Sequence, residues 1–212
     1  MSNAKTWVFT YSTMATTGAL RDHISGAILD AAALVLSDKG DTASMEDVAS
    51  AAGVGRATIY RYFPSRDDLL SALADVAIDD AHRRIMGADL ERATVPEALA
   101  RIVRAVVACG IKFSVLTDGR SHVDRNRVER LIRDPIRAVF RRGQDEGIMR
   151  TDLTTDVLVD LFGGLTKVAL QIAGRNELGA EEASAIITSI FLDGARPTSD
   201  ARRDPHPLPS SR

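Results

Sequence analysis

The sequence predicts an all-α protein. From Arg21 onward apolar residues recur at steps of three and four, strand-like alternation is scarce, and Ser, Thr, Gly and Pro punctuate the chain at helix-length intervals. The 212 residues are 45% hydrophobic and 26% charged, enough for one sizeable core or two small ones and unlike a disordered chain.

The first twenty residues, rich in Ser, Thr and Ala, show no period and are expected to form a disordered extension. The first periodic helix aligns Ile24, Ile28, Ala31, Ala32 and Val35 and should stop near Gly40, a residue suited to a left-handed C-terminal cap. Ser44 then reads as an N-cap answered by Asp47 three residues on, opening a helix that ends at Gly53. A third should run from about Gly55 to Phe63, where Pro64 stops it, and Ser65 caps a longer fourth through Leu69, Leu73, Val76 and Ala77. Thr94 and Glu97 form another capping box ahead of "ALARIVRAVVACGIKF". Asp134 and Pro135 either start a helix or kink one that ends at Gly147. Two stripes follow: Leu158, Leu161, Phe162, Leu165, Val168, Ala169 and Ile172, then Ala183, Ile186, Ile187, Ile190 and Phe191. They read as a packed hairpin with Gly163 and Gly164 permitting close helix approach. From Pro197 the tail lacks period and is expected to be disordered.

Composition narrows the function. A formal net charge of -2 argues against a general polyanion binder, so any nucleic-acid site must be local. The single cysteine, Cys109, excludes an intramolecular disulfide and a zinc site built on paired cysteines, and suits a reducing cytoplasm. No apolar run approaches the ~20 residues that span a bilayer, and "WVFTY" is too short for a signal peptide core. Catalysis is not expected: there is no phosphate-binding glycine loop, no G-x-S-x-G and no H-E-x-x-H, and histidines 23, 82, 122 and 206 are too dispersed for a metal cluster. From Arg101 to Arg150 positive residues outnumber acidic ones about two to one; DNA or an anionic effector is one reading of that excess, and a solvated helix face, given the interspersed acidic residues, is the favoured one.

The stretch "DVASAAGVGRATIYRYFPSRDDLL" carries the sharpest signal. Two short helices joined by a glycine-bearing turn are a helix-turn-helix, whose second helix enters the DNA major groove. On a wheel of 100° per residue, Ile59 and Phe63 share the inward face with Gly55, while Ala57 and Arg61 point away with Thr58 and Tyr60 beside them. Arg61 suits guanine O6 and N7, Thr58 a base edge, and Ala57 close approach or a thymine methyl. Arg56, Tyr60, Tyr62 and Arg66 suit phosphates, with backbone amides at helix starts such as that capped by Ser44 assisting. From Arg56 to Arg66 there are three arginines and no acidic residue, although residues 21 to 70 as a whole carry more Asp and Glu than Lys and Arg.

Residues 24 to 73 resemble the DNA-binding domain of TetR-type transcriptional regulators. That family's usual "vA…AGVs" and "gTlYrhFpsKedLl" are matched by Val48, Ala49, Ala52, Gly53, Val54, Thr58, Ile59, Tyr60, Tyr62, Phe63, Pro64, Ser65, Arg66, Asp67, Leu69 and Leu70. Gly55 stands where a Ser cap is usual, Arg66 where Lys is common, and Tyr62 where His is frequent. The resemblance implies a DNA-binding domain over 21–70, a ligand-binding and dimerisation domain over 71–196 and a tail over 197–212. It implies a homodimer whose last two long helices form a four-helix bundle, with Leu158, Leu161, Phe162, Leu165, Ile172, Ile186, Ile187, Ile190 and Phe191 as candidate interface residues. It further implies a partly apolar small-molecule effector among the middle helices, for which Met86, Cys109, Phe113, Phe140 and Phe162 are candidate liners and His82 a polar anchor. Core packing is the alternative for each of these residues. The implied activity is a ligand-responsive repressor on a palindromic operator, or an activator or effector-free repressor of the same fold. No cofactor or metal is implied.

Overall fold

The computed structural model describes residues 4–110, 124–174 and 179–197, with the backbone alone for 4–19, 174 and 180. The described residues are helical throughout: α1 Ala4–Lys39, α2 Met45–Ala51, α3 Arg56–Tyr62, α4 Arg66–Met86, α5 Val95–Ala108, α6 Arg125–Val128, α7 Asp134–Asp145, α8 Thr155–Gly174 and α9 Ala180–Ala195. A 3₁₀ turn, Gly40–Thr42, follows α1, and a π-helical turn, Glu129–Arg133, joins α6 to α7. They form two compact units divided within α4, between Ala77 and Ile78.

In the first unit Ile28, Leu29, Ala32, Met45, Val48, Ile59, Phe63, Leu69 and Leu73 bury one shared core under α1, α2, α3 and the start of α4. The stripe expected on α1 supplies its floor. The expectation of an aperiodic extension fails at the backbone level, because α1 is helical from Ala4. No glycine or proline interrupts Ala4 to Thr17, so nothing there stops a helix that packing already stabilises further along. The tail beyond Pro197 and Phe113 lie outside the described residues.

The caps fall where the sequence placed them. Asp47 N donates to Ser44 Oγ at 3.1 Å while Ser44 N donates back to Asp47 Oδ2 at 2.9 Å. Ser65 with Asp68, and Thr94 with Glu97, repeat this reciprocal arrangement. Lys39, hydrogen-bonded at 2.7 Å, and the Ser44 backbone amide hold the Asp47 carboxyl well below its ordinary value of 3.8. The stabilisation from Asp47 is therefore complete above that ordinary value and lost as the pH falls below it. Ser44→Ala should lower stability by about 1 kcal/mol, and Asp47→Asn should remove part of the acid-induced fall in a melting curve recorded from neutral pH down to pH ~3. An unchanged acid profile in Asp47→Asn would contradict that assignment.

In the second unit α5, α7, α8 and α9 pack around a core of Val95, Leu99, Ile102, Val103, Phe140, Leu158, Phe162, Ile187 and Phe191. Gly143 on α7 sits close to its neighbours: a Cβ there would lie 3.0 Å from Met149 Sδ and 3.2 Å from Val95 Cγ1, so those side chains would have to shift to admit one. The π-helical turn coincides with Pro135, which has no amide hydrogen to offer the Leu131 carbonyl four residues earlier. His82 Nδ1 lies 2.8 Å from that oxygen. A carbonyl only accepts, so His82 carries its proton on Nδ1. Several arginines of this unit are held in ion pairs: Arg127 to Asp79, Arg133 to Glu129 and Asp160, Arg137 to Glu129, Asp134 and Asp156, and Arg150 to Asp152.

Candidate nucleic-acid interface and effector cleft

The helix-turn-helix is built on two buried anchors and one left-handed residue. Ile59 and Phe63 are buried, as the wheel requires, which turns the opposite face of α3 to solvent. Gly53 makes the turn between α2 and α3 at φ 66°, a conformation natural to glycine. The Val54 amide closes it by donating to Ala49 O at 2.9 Å. Gly55 is the N-cap of α3 and has no side-chain hydrogen bond to offer; the Thr58 amide donates to its carbonyl at 2.9 Å. Nothing lies within 4 Å of where a Cβ on Gly55 would sit.

The outward face carries Arg56, Ala57, Tyr60 and Arg61 exposed, with Thr58 and Tyr62 half-buried. Their guanidinium groups are not pointing freely into solvent. Arg56 lies 5.6 Å from the Tyr60 ring and is paired with Glu46 at 3.0 Å. Arg61 lies 5.5 Å from the Tyr62 ring, as Arg21 of α1 does at 6.0 Å. Arg66 sits half-buried with Nε donating to Ala43 O at 3.4 Å, so its guanidinium is steadied at the mouth of the turn. The Ser44 hydroxyl is committed to Asp47 as both donor and acceptor. Sequence reasoning missed Arg21 and the hold of Glu46 on Arg56; the spacing of Glu46 and Arg56 across the turn was the available signal.

The effector candidates separate cleanly. Phe140 and Phe162 are buried, meeting each other and Phe191 edge-to-face at centroid distances of 5.5, 5.5 and 5.1 Å. Cys109 is buried, its thiol donating to Ala105 O at 3.2 Å, and burial pushes its pKa up to about 12. It is no thiolate nucleophile. His82 is engaged with Leu131. Met86 is 61% exposed and lines a cleft of about 590 Å³ with Ile85, Asp89, Leu90, Glu91, Pro135, Ala138, Val139 and Arg142. Arg142 shapes its floor by donating to the carbonyls of Leu90, Glu91 and Ala93 at 2.9–3.1 Å. Asp89 takes φ 50°, a left-handed value that Asp tolerates better than most side chains.

Among the candidate interface residues, Leu158, Phe162, Ile187 and Phe191 face the protomer's own core, while Leu165 and Ile172 are half-buried. Leu161, Ile186 and Ile190 are exposed together with Val157 and Val168. Gly163 and Gly164 have open space beside them. Among the described residues no group of three or more His, Cys, Asp or Glu is placed to hold a metal ion, and no helix is long and apolar enough to cross a membrane.

A three-helix unit with a glycine turn, buried anchors and an arginine-bearing polar face is a helix-turn-helix, the architecture of a DNA-binding domain. The profile of bacterial regulatory proteins of the tetR family matches residues 28–73. That segment, residues 28–73, is of the tetR type. It is 47% identical over 90 residues to the HTH-type transcriptional repressor LfrR of Mycolicibacterium smegmatis, a match spanning 42% of this chain and 47%, about half, of that protein. It is 28% identical over 174 residues to the HTH-type transcriptional regulator NfxB of Pseudomonas aeruginosa, over 79% of this chain and 92% of that one. The crystal structure of LfrR in complex with proflavine superposes with a TM-score of 0.65 at 29% identity, covering 81% of this chain and 96% of that chain.

Proposed function

We propose that the protein is a cytoplasmic, homodimeric repressor that binds a palindromic operator and leaves it when a partly apolar small molecule binds. The observation that carries this reading is the polar face of α3 held outward by buried Ile59 and Phe63. One recognition helix reads only a few base pairs, so two copies on half-sites about 34–36 Å apart supply the specificity. Ala57 and Thr58 face base edges, and Arg56, Tyr60 and Arg66 hold phosphates. Binding DNA requires Arg56 to exchange Glu46 for a phosphate, a trade of one exposed ion pair for another.

The effector site is assigned to the cleft lined by Met86, whose volume of about 590 Å³ falls within the ~300–1,000 Å³ of small-molecule sites. That LfrR has been seen with proflavine supports an organic ligand of this size in this fold. The ligand acts by preferring one of two states of the dimer, and coupling is no larger than that preference. The rival reading as an enzyme has no support in the site, and the relatives named above are transcriptional regulators.

Fluorescence anisotropy with the DNA flanking the gene and a scrambled duplex tests the reading. Thr58→Ala should lose roughly 1–3 kcal/mol on the specific duplex and little on the scrambled one, whereas Arg66→Ala should weaken both alike and flatten the salt dependence. No preference of the wild-type protein for any flanking sequence would refute it.

A further inference from the structure

We propose that α1 supplies a grip on DNA outside the helix-turn-helix, in which Arg21 together with Arg61 and Tyr62 holds one phosphate of the duplex backbone. This rests on the DNA-binding reading above and extends the surface that carries it. The Arg21 and Arg61 guanidinium groups lie 6.0 and 5.5 Å from the centre of the same Tyr62 ring. Leu20, Arg21, Ile24, Arg61 and Tyr62 line a cleft of about 380 Å³ between α1 and the end of α3.

Two guanidinium groups share one ring and one cleft here, and among the described residues neither is paired with a carboxylate. This separates them from Arg56, which Glu46 neutralises, and from the ion-paired arginines of the second unit. The face of one phenol ring attracts a cation but carries no net charge, so the local charge stays at two positives. An anion between the forks completes the arrangement, and a phosphodiester oxygen pair matches the planar donors of a guanidinium. The location selects the source of that anion. Arg61 projects from the exposed face of the recognition helix, so a phosphate reached by both arginines belongs to the strand beside the groove that α3 enters. Arg61 thereby moves from the base-reading set, where the wheel put it, to the phosphate set. Tyr62 acts as a positioning platform that keeps both guanidinium groups on one phosphate.

The test is the salt dependence of binding, measured by anisotropy at 50–200 mM salt on a duplex flanking the gene and on a random duplex of equal length. Each phosphate contact contributes about 0.9 to the slope of log affinity against log salt. Arg21→Ala should lower that slope by about 0.9 on both duplexes, and Arg21→Lys should restore most of it. Arg61→Ala should weaken both duplexes by the same factor, and the double variant should lose less than the sum of the single losses, because the two share one phosphate. Arg21 is exposed, so circular dichroism melting of its variants should match wild type.

An unchanged slope and affinity in Arg21→Ala, while wild type binds duplex DNA and Arg66→Ala weakens it, overturns this proposal and leaves the DNA-binding reading intact. Arg61→Ala acting only on the flanking duplex also overturns it, returning Arg61 to base reading. Failure of wild type to bind either duplex overturns the DNA-binding reading and this grip together.

Discussion

Phe140→Ala should lower stability by about 3–5 kcal/mol, the loss expected for truncating a buried aromatic residue. Its ring is fully buried and meets Phe162 and Phe191 edge-to-face, so α7, α8 and α9 each contribute one ring to the same cluster. Such pairs add ~0.5–1.5 kcal/mol beyond area burial, and truncation removes two of them together with the packing around them. Urea unfolding checks this through a fall in midpoint at constant slope. A double variant with Phe162→Ala should lose less than the two single losses together, because the rings share one space. A loss below about 1 kcal/mol would mean that the cluster relaxes to fill the void.

The second large effect concerns assembly. If the protein pairs as proposed above, Leu161→Glu combined with Ile190→Glu should yield a folded monomer and reduce operator affinity at least ~10³-fold, toward the non-specific level. Leu161 and Ile190 are 53% and 55% exposed in the protomer, so the charges meet no internal core, and both are among the residues proposed for the partner contact. Sedimentation velocity reads the mass and anisotropy reads the affinity. A variant that still sediments as a dimer would move the interface elsewhere. Leu158→Ala is the contrasting case, since Leu158 is buried within its own protomer and its loss should act on folding.

The punctuation of this chain was legible because it is local chemistry. Ser44, Ser65 and Thr94 cap helices with carboxylates three residues on, Gly53 turns, and Pro64 stops α3. Ile59 and Phe63 could be placed inside from period alone. The stripes of α8 and α9 were visible as apolar, but period cannot say which side of a wide stripe faces its own core. Leu158 and Leu161 stand three residues apart and differ from buried to 53% exposed. The partners of long side chains were likewise hidden. Nothing local signals that Phe140, Phe162 and Phe191 meet, that Arg61 folds onto Tyr62, or that His82 attends a carbonyl facing a proline.

The grip of Arg142 on the loop before α5 has a consequence for how the cleft can evolve. It bonds three main-chain carbonyls, groups that every residue possesses, and so fixes the loop's course without regard to its side chains. The residues at 90, 91 and 93 can be exchanged while the floor keeps its outline. Selection can then retune what enters the cleft, one wall residue at a time, with the architecture inherited unchanged.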